Sequence, residues 1–155
     1  MKKKNERNTK IKILFVDEIN DLASQIAEYF LNEIYGDVYE GYSAGPSWDF
    51  VDCELISVMY QQGYDIRKVN SKDFTVKQLP GKLDYIAFLE QATYDRIKDI
   101  IPWDAPKFLK PFRKVKDFTA TDDYELAQCY IEYIEEVKLW VIDTFKDPGN
   151  LKTLV

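Results

Sequence analysis

A six-residue run, Ile11 to Val16 (IKILFV), stops at the acidic turn Asp17-Glu18 and hands over directly to a helical stripe. The run is too short for a helix and is bounded by a turn, so it reads as a buried strand. Leu22, Ala23, Ile26, Ala27, Phe30 and Ile34 then recur at three- and four-residue spacing, which is one helix face. Gly36 is placed to close that helix with a left-handed cap. A strand followed by a helix joins its next strand by a crossover, and a crossover makes parallel pairs.

The rest of the chain repeats the alternation. Val38 to Tyr42 reads as a strand, and Ser43 to Ser47 as a loop of small residues. Val51, Leu55, Ile56, Met59 and Tyr60 form a second helical stripe, closed by Gly63. A short helix is predicted over 71–79, before the Pro80-Gly81 break. Leu83 to Leu89 (LDYIAFL) is the best central strand, 91–100 a helix, Lys107 to Leu109 a weak strand and 110–120 a loop. The last helix starts at Asp122, with Glu125 completing a capping-box variant. Its stripe runs from Ala127 through Tyr130, Ile134 and Val141 to Phe145. The pattern predicts a single-domain, three-layer α/β/α fold around a parallel sheet of about four strands. Residues 1–9 are expected to be a disordered basic tail, 10–147 the domain, and 148–155 a C-terminal tail.

Composition removes several chemistries. The chain of 155 residues is 46% apolar, enough for one real core. No apolar stretch approaches the ~18–20 residues of a membrane span, and none resembles a signal peptide, so a cytoplasmic protein is expected. There is no histidine, which excludes Ser-His and Cys-His nucleophile pairs and removes the commonest metal ligand. Cys53 and Cys129 are expected to be buried or half-buried helix thiols in a reducing compartment. Between Ile13 and Ile66 there is no Lys or Arg, but there are eleven acids. The total charge is −6, so the remainder of the chain carries +5. That asymmetry disfavours nucleic acid as a partner of the first half.

With these elements placed, the chain resembles the low-molecular-weight protein tyrosine phosphatases and the related thioredoxin-coupled arsenate reductases. The likeness covers about residues 11–146. It rests on the opening strand and loop with Asn20, Ser24 and "SQIAEYF", on "YSAG" (Tyr42 to Gly45), on the M-x3-G-x-D spacing of Met59, Gly63 and Asp65, and on "LDYIAFL". It implies a phosphotyrosine protein phosphatase I-like fold, with residues 17–24 (Asp17, Glu18, Ile19, Asn20, Asp21, Leu22, Ala23 and Ser24) as the anion-binding loop.

The family loop is Cys-x5-Arg-Ser/Thr. Here Asp17 stands at the cysteine position and Ala23 at the arginine position. The thiolate would attack phosphorus, and the arginine would hold phosphate oxygens bidentately. Asp17 repels a dianion, and Ala23 offers no donor. The region 81–100 has no cysteine to resolve a disulfide, so the arsenate reductase relay is excluded. The family's general acid would fall near Asp117, followed here by Phe118 where the family has proline.

The expectation is therefore a catalytically inactive homologue, a binding or regulatory pseudo-enzyme with no catalytic residue and no cofactor. Its partner would be another protein, and a homo-oligomer is left open. The alternative is a hydrolase or phosphoryl-transfer enzyme using carboxylates, with Asp17, Glu18 and Asp21 as weak Mg2+ candidates. "ILFVDE" also resembles the first strand of receiver domains, with Asp52 as the nearest acceptor, but Asp52 sits at a helix start. Trp48, Phe50 and Tyr42 are candidates for the pocket rim. If the loop still folds as an anion cradle, Asp17 is expected to turn inward and accept its N–H groups as a built-in ligand.

Overall fold

The structure, a computed structural model, describes residues 9–155. The predicted tail over 1–9 falls almost wholly outside the described residues. Four strands, β1 (Ile11–Val16), β2 (Tyr39–Ala44), β3 (Tyr85–Phe88) and β4 (Lys107–Leu109), alternate with four helices. These are α1 (Ala23–Tyr35), α2 (Cys53–Gln61), α3 (Gln91–Ile97) and α4 (Asp123–Phe145). All strand pairs are parallel, in the order β2-β1-β3-β4. Val16 lies level with Ala44 on one side and Phe88 on the other. The chain leaves β1 towards β2, then returns to place β3 on the opposite side of β1. This reversal opens a crevice at the carboxyl ends of the strands, where open α/β sheets bind ligands.

The two-residue period of β1 divides the core. Ile13 and Phe15 face α1, α2 and α4, whereas Leu14 and Val16 face the layer that holds Ile97, Ile101 and Trp103. All four of these β1 side chains are fully buried, as the unbroken apolar run requires for a sheet covered on both faces.

Local differences from the sequence reading have physical causes. Gly36 takes ordinary right-handed angles (φ −64°) in place of a left-handed cap. Glycine is needed there because a Cβ would come within 2.2 Å of the Asn32 carbonyl oxygen. Gly63 does adopt a positive φ, +93°. Residues 71–79 form turns and no helix. Their backbone groups are committed elsewhere: Lys72 N donates to Asn20 Oδ1 (2.9 Å), and Lys72 O accepts from Gly45 N (2.9 Å).

At the head of α4, Asp122 accepts from Glu125 N (2.8 Å) as expected. Glu125 reaches back one residue further than a capping box would, to the backbone and hydroxyl of Thr121. The C-terminal segment 148–155 packs on the domain. Pro148–Thr153 form a 3-10 helix that puts Leu151 fully into the core. Cys53 is exposed at the start of α2, contrary to expectation, while Cys129 is half-buried. Among the described residues, no helix is long and apolar enough to cross a membrane.

Candidate functional site

The loop 17–22 leaves the carboxyl end of β1 and enters α1. Asn20 makes its turn, with a φ of +54°, a left-handed value that asparagine tolerates better than most residues. Hydrogen bonds fix its side chain. Asn20 Nδ2 donates to Ser24 Oγ (2.9 Å), and Asn20 Oδ1 accepts from Gln25 Nε2 (3.0 Å) and Lys72 N (2.9 Å). Gln25 Nε2 also reaches the Asn70 carbonyl (3.1 Å). Behind this network Ser43 donates to Glu28 (2.6 Å), whose carboxyl is pushed up by burial despite Lys72 nearby. The loop geometry is thus held from below by side chains of α1, β2 and the 70–72 segment.

Gly45 fixes the other flank. A Cβ there would lie 2.4 Å from the Asp17 carbonyl oxygen and 2.7 Å from that of Glu18. The Glu18 carbonyl is already engaged by Ser47 N (3.2 Å). Gly45→Ala is therefore expected to destabilise the protein by about 1–3 kcal/mol through backbone displacement, read as a lowered urea midpoint.

Asp17 is 2% exposed and turns inward, accepting the Ser24 N–H at 2.8 Å. That N–H belongs to the first turn of α1, which has no side-chain cap from Leu22. The strand end therefore caps the helix. The expectation of a carboxylate satisfied by a ring of N–H groups is only partly met, because Asp17 Oδ1 is buried with no hydrogen-bond partner. Burial consequently dominates. It pushes the Asp17 carboxyl up to about 6, against the pull of Ser24. Asp21 is pushed up to about 7 by burial first, then by the charges of Asp17 and Asp52.

The other loop acid looks away. Glu18 accepts from Thr93 Oγ1 (2.8 Å) and pairs with Arg96, both on α3. Its backbone N–H donates to Glu90 (2.6 Å), and Glu90 pairs with Lys114 (2.9 Å). Residues 13–66 carry no Lys or Arg, but the fold brings cations in from beyond residue 66. Ile19 contributes its carbonyl, which accepts from Ser71 Oγ.

Over the loop lies a cavity of about 320 Å³. Asp17, Asp21, Leu22 and Ala23 form its loop side, and Glu90, Arg113 to Lys116 and Tyr133 close the other. Ala23 is buried and presents a methyl group where the resemblance places an arginine. Asp117 does not line the cavity. It is exposed, in a 3-10 turn (Val115–Asp117), and accepts from Lys114 N (2.9 Å). Trp48 and Phe50 line a separate cavity beside Val69 and Val76, so they are not the rim of this one. Tyr42 points to Glu40 (2.9 Å), also away from it. Asp52 caps α2 through Glu54 N (2.9 Å) and accepts from Tyr130 (2.6 Å), which removes it as a receiver-type acceptor. No group of three or more acids and thiols suited to a metal ion occurs among the described residues.

Sequence pattern alone does not single out Glu90, Arg113, Lys114, Lys116 and Tyr133. Glu90 is the one with a findable signal, since it follows directly on the predicted central strand, at the end where such sheets carry ligands.

A four-stranded parallel sheet in this order, covered by helices, is the fold of the low-molecular-weight tyrosine phosphatases and arsenate reductases. One such phosphatase, from T. tengcongensis, superposes with a TM-score of 0.68 at 19% identity, over 88% of this chain and 98% of its own. A low-molecular-weight phosphotyrosine phosphatase from Vibrio cholerae O395 gives 0.63 at 19% identity, over 90% and 99%. An arsenate reductase in its reduced state gives 0.63 at 17% identity, over 86% and 95%. No protein-family model and no curated protein matches the chain at the level of sequence.

Proposed function

We propose that this chain is a catalytically inactive homologue of the low-molecular-weight tyrosine phosphatases and arsenate reductases, acting in the cytoplasm as a binding or regulatory pseudo-enzyme for another protein. The observation that carries this reading is the buried Asp17 carboxyl, seated on the Ser24 N–H at the start of α1. A phosphate group would need that donor, and the acid occupies it. Ala23 adds no replacement for a phosphate-binding arginine. Of the three cations that line the cavity, two are engaged by acids, Lys114 by Glu90 and Arg113 by Glu136, and Lys116 is exposed at the rim.

The purified protein is expected to hydrolyse p-nitrophenyl phosphate no faster than buffer and to reduce no arsenate with thioredoxin. Phosphate, sulfate and vanadate are expected to give no thermal stabilisation. Restoring cysteine and arginine together (Asp17→Cys with Ala23→Arg) should recover anion binding at least in part.

A second reading is favoured by one observation. Asp17 and Asp21 are pushed up to about 6 and about 7, within the range of a general acid–base pair. On that reading the chain is a hydrolase working through carboxylates. Turnover that disappears in Asp17→Asn would support it and sink the pseudo-enzyme.

A further inference from the structure

The cavity over the loop stands where this fold takes anions, yet its chemistry is inverted. We infer that it binds an organic cation of side-chain size, an alkylammonium or a guanidinium, through Asp17 and Asp21. This rests on the reading of the loop as a degenerate phosphate site.

Three observations converge. First, Asp17 lines the cavity and is 2% exposed, and its Oδ1 has no donor. That oxygen is closed to solvent, so a small shift of the side chain towards the cavity would open it to an incoming N–H, and a charged donor would make the bond a strong one. Second, the walls are mixed in the way a side chain with a charged head requires. Leu22, Ala23, Val115 and the Tyr133 ring offer apolar surface for methylenes. An aromatic face also attracts a cation. Third, the volume of about 320 Å³ suits a ligand of this size. The absence of a three-acid cluster among the described residues favours an organic head group over a bare metal ion.

The neighbouring charges leave room for it. Facing Asp17 and Asp21 are Glu18 on the same loop, Glu90 after β3, Asp52 at the head of α2, Tyr133 on α4, and Arg113, Lys114 and Lys116 from the 113–116 segment. Arg113 and Lys114 are held by Glu136 and Glu90. Lys116 makes no ion pair among the described residues, so it is the rim charge that opposes an incoming cation. Because Asp17 and Asp21 are held up by burial, a bound cation would favour their ionised forms and displace protons. Binding should therefore weaken as the pH falls.

The test is a 15N amide-shift titration of the full chain with n-butylammonium and methylguanidinium chlorides at constant ionic strength, with 1-butanol as the uncharged control. The expected result is saturable shifts confined to residues 17–24 and the neighbourhood of Tyr133. Affinity should be at least about tenfold weaker near pH 5 than near pH 8, similarly weaker in Asp21→Asn, and tighter in Lys116→Glu. The last two sites are not fully buried, so both variants should fold even if Asp17→Asn does not. A lysine-containing tetrapeptide, blocked at both ends, distinguishes the sources. Binding as tight as the free amine assigns the cation to a protein side chain, and much weaker binding assigns it to a small amine; both support the site.

No shift at tens of millimolar overturns the inference, as do equal shifts with 1-butanol or a response to magnesium chloride alone. Phosphate is titrated on the same sample. If it moves the loop, the pseudo-enzyme reading fails as well; if neither ion does, only the cation site fails.

Discussion

Unfolding free energy should fall as pH rises from about 4 to about 8, the reverse of the usual acid-labile pattern. The cause is the pair Asp17 and Asp21. In the unfolded chain each has an ordinary pKa near 4. In the folded protein burial raises them to about 6 and about 7. Between those limits the native state holds more protons than the unfolded state, so stability decreases with pH. The contribution is fully present below pH ~4 and is lost as pH climbs through the folded values.

For Asp17, fully buried, the loss amounts to about 3 kcal/mol. Asp21 is partly exposed, and solvent screening makes its share smaller. Glu28, raised by burial, acts in the same direction. Asp65 and Asp73 act in the opposite one, but both lie at the surface on short-range partners, Arg67 and Thr75. Urea unfolding at several pH values measures the slope directly. Asp17→Asn should flatten it most, and stabilise the protein near pH 8 even while the introduced amide nitrogen lacks a partner. A stability that rises over this range would mean that the Asp17 carboxylate is solvated or paired, contrary to the geometry of the loop.

Truncating Phe15 to alanine should cost about 3–5 kcal/mol, the range for large aromatic deletions in a close-packed core. Phe15 is fully buried within the central strand. Its ring meets Phe145 edge-on at 5.7 Å and Trp140 at 6.1 Å, and Trp140 in turn packs on Phe112 at 5.5 Å. The cavity left by Phe15→Ala would therefore open between the sheet and α4, where neither layer can collapse without disturbing the other. The matched control is Phe50→Ala. Phe50 is 79% exposed, and its truncation should change stability by no more than about 0.5 kcal/mol. Equal effects for the two would contradict this arrangement of the core.

Much of the fold is legible in the sequence because burial has a period. The run IKILFV can be apolar at successive positions only if both of its faces are covered, and the structure covers both. The spacing of Ile26, Phe30 and their neighbours produces the buried face of α1, and Asp122 caps the last helix as its position implies. The misreadings occur where local pattern competes with distant partners. Residues 71–79 have a weak helical pattern, but Lys72 commits its backbone groups to Asn20 and Gly45, which lie 52 and 27 residues away in sequence. Leu151 lies in a segment that composition marks as a tail, yet it is drawn into the core.

The candidate site divides the same way. The sequence by itself placed Asp17 just past the end of β1 and made the loop acidic. Those are statements about neighbours along the chain, and they survive folding. Tertiary structure alone decided what the acids meet. Glu18 is paired with an arginine 78 residues away, and Glu90 with Lys114, so two of the carboxylates around the loop are answered by cations that no local window contains. Asp17 is left with one N–H and an unpaired oxygen. The physical reason is that charge and burial combine through space: the strand order β2-β1-β3-β4 brings the end of β3 and the 113–116 segment over the first loop, and only that convergence sets the protonation of Asp17 and Asp21 and the chemistry the cavity can hold.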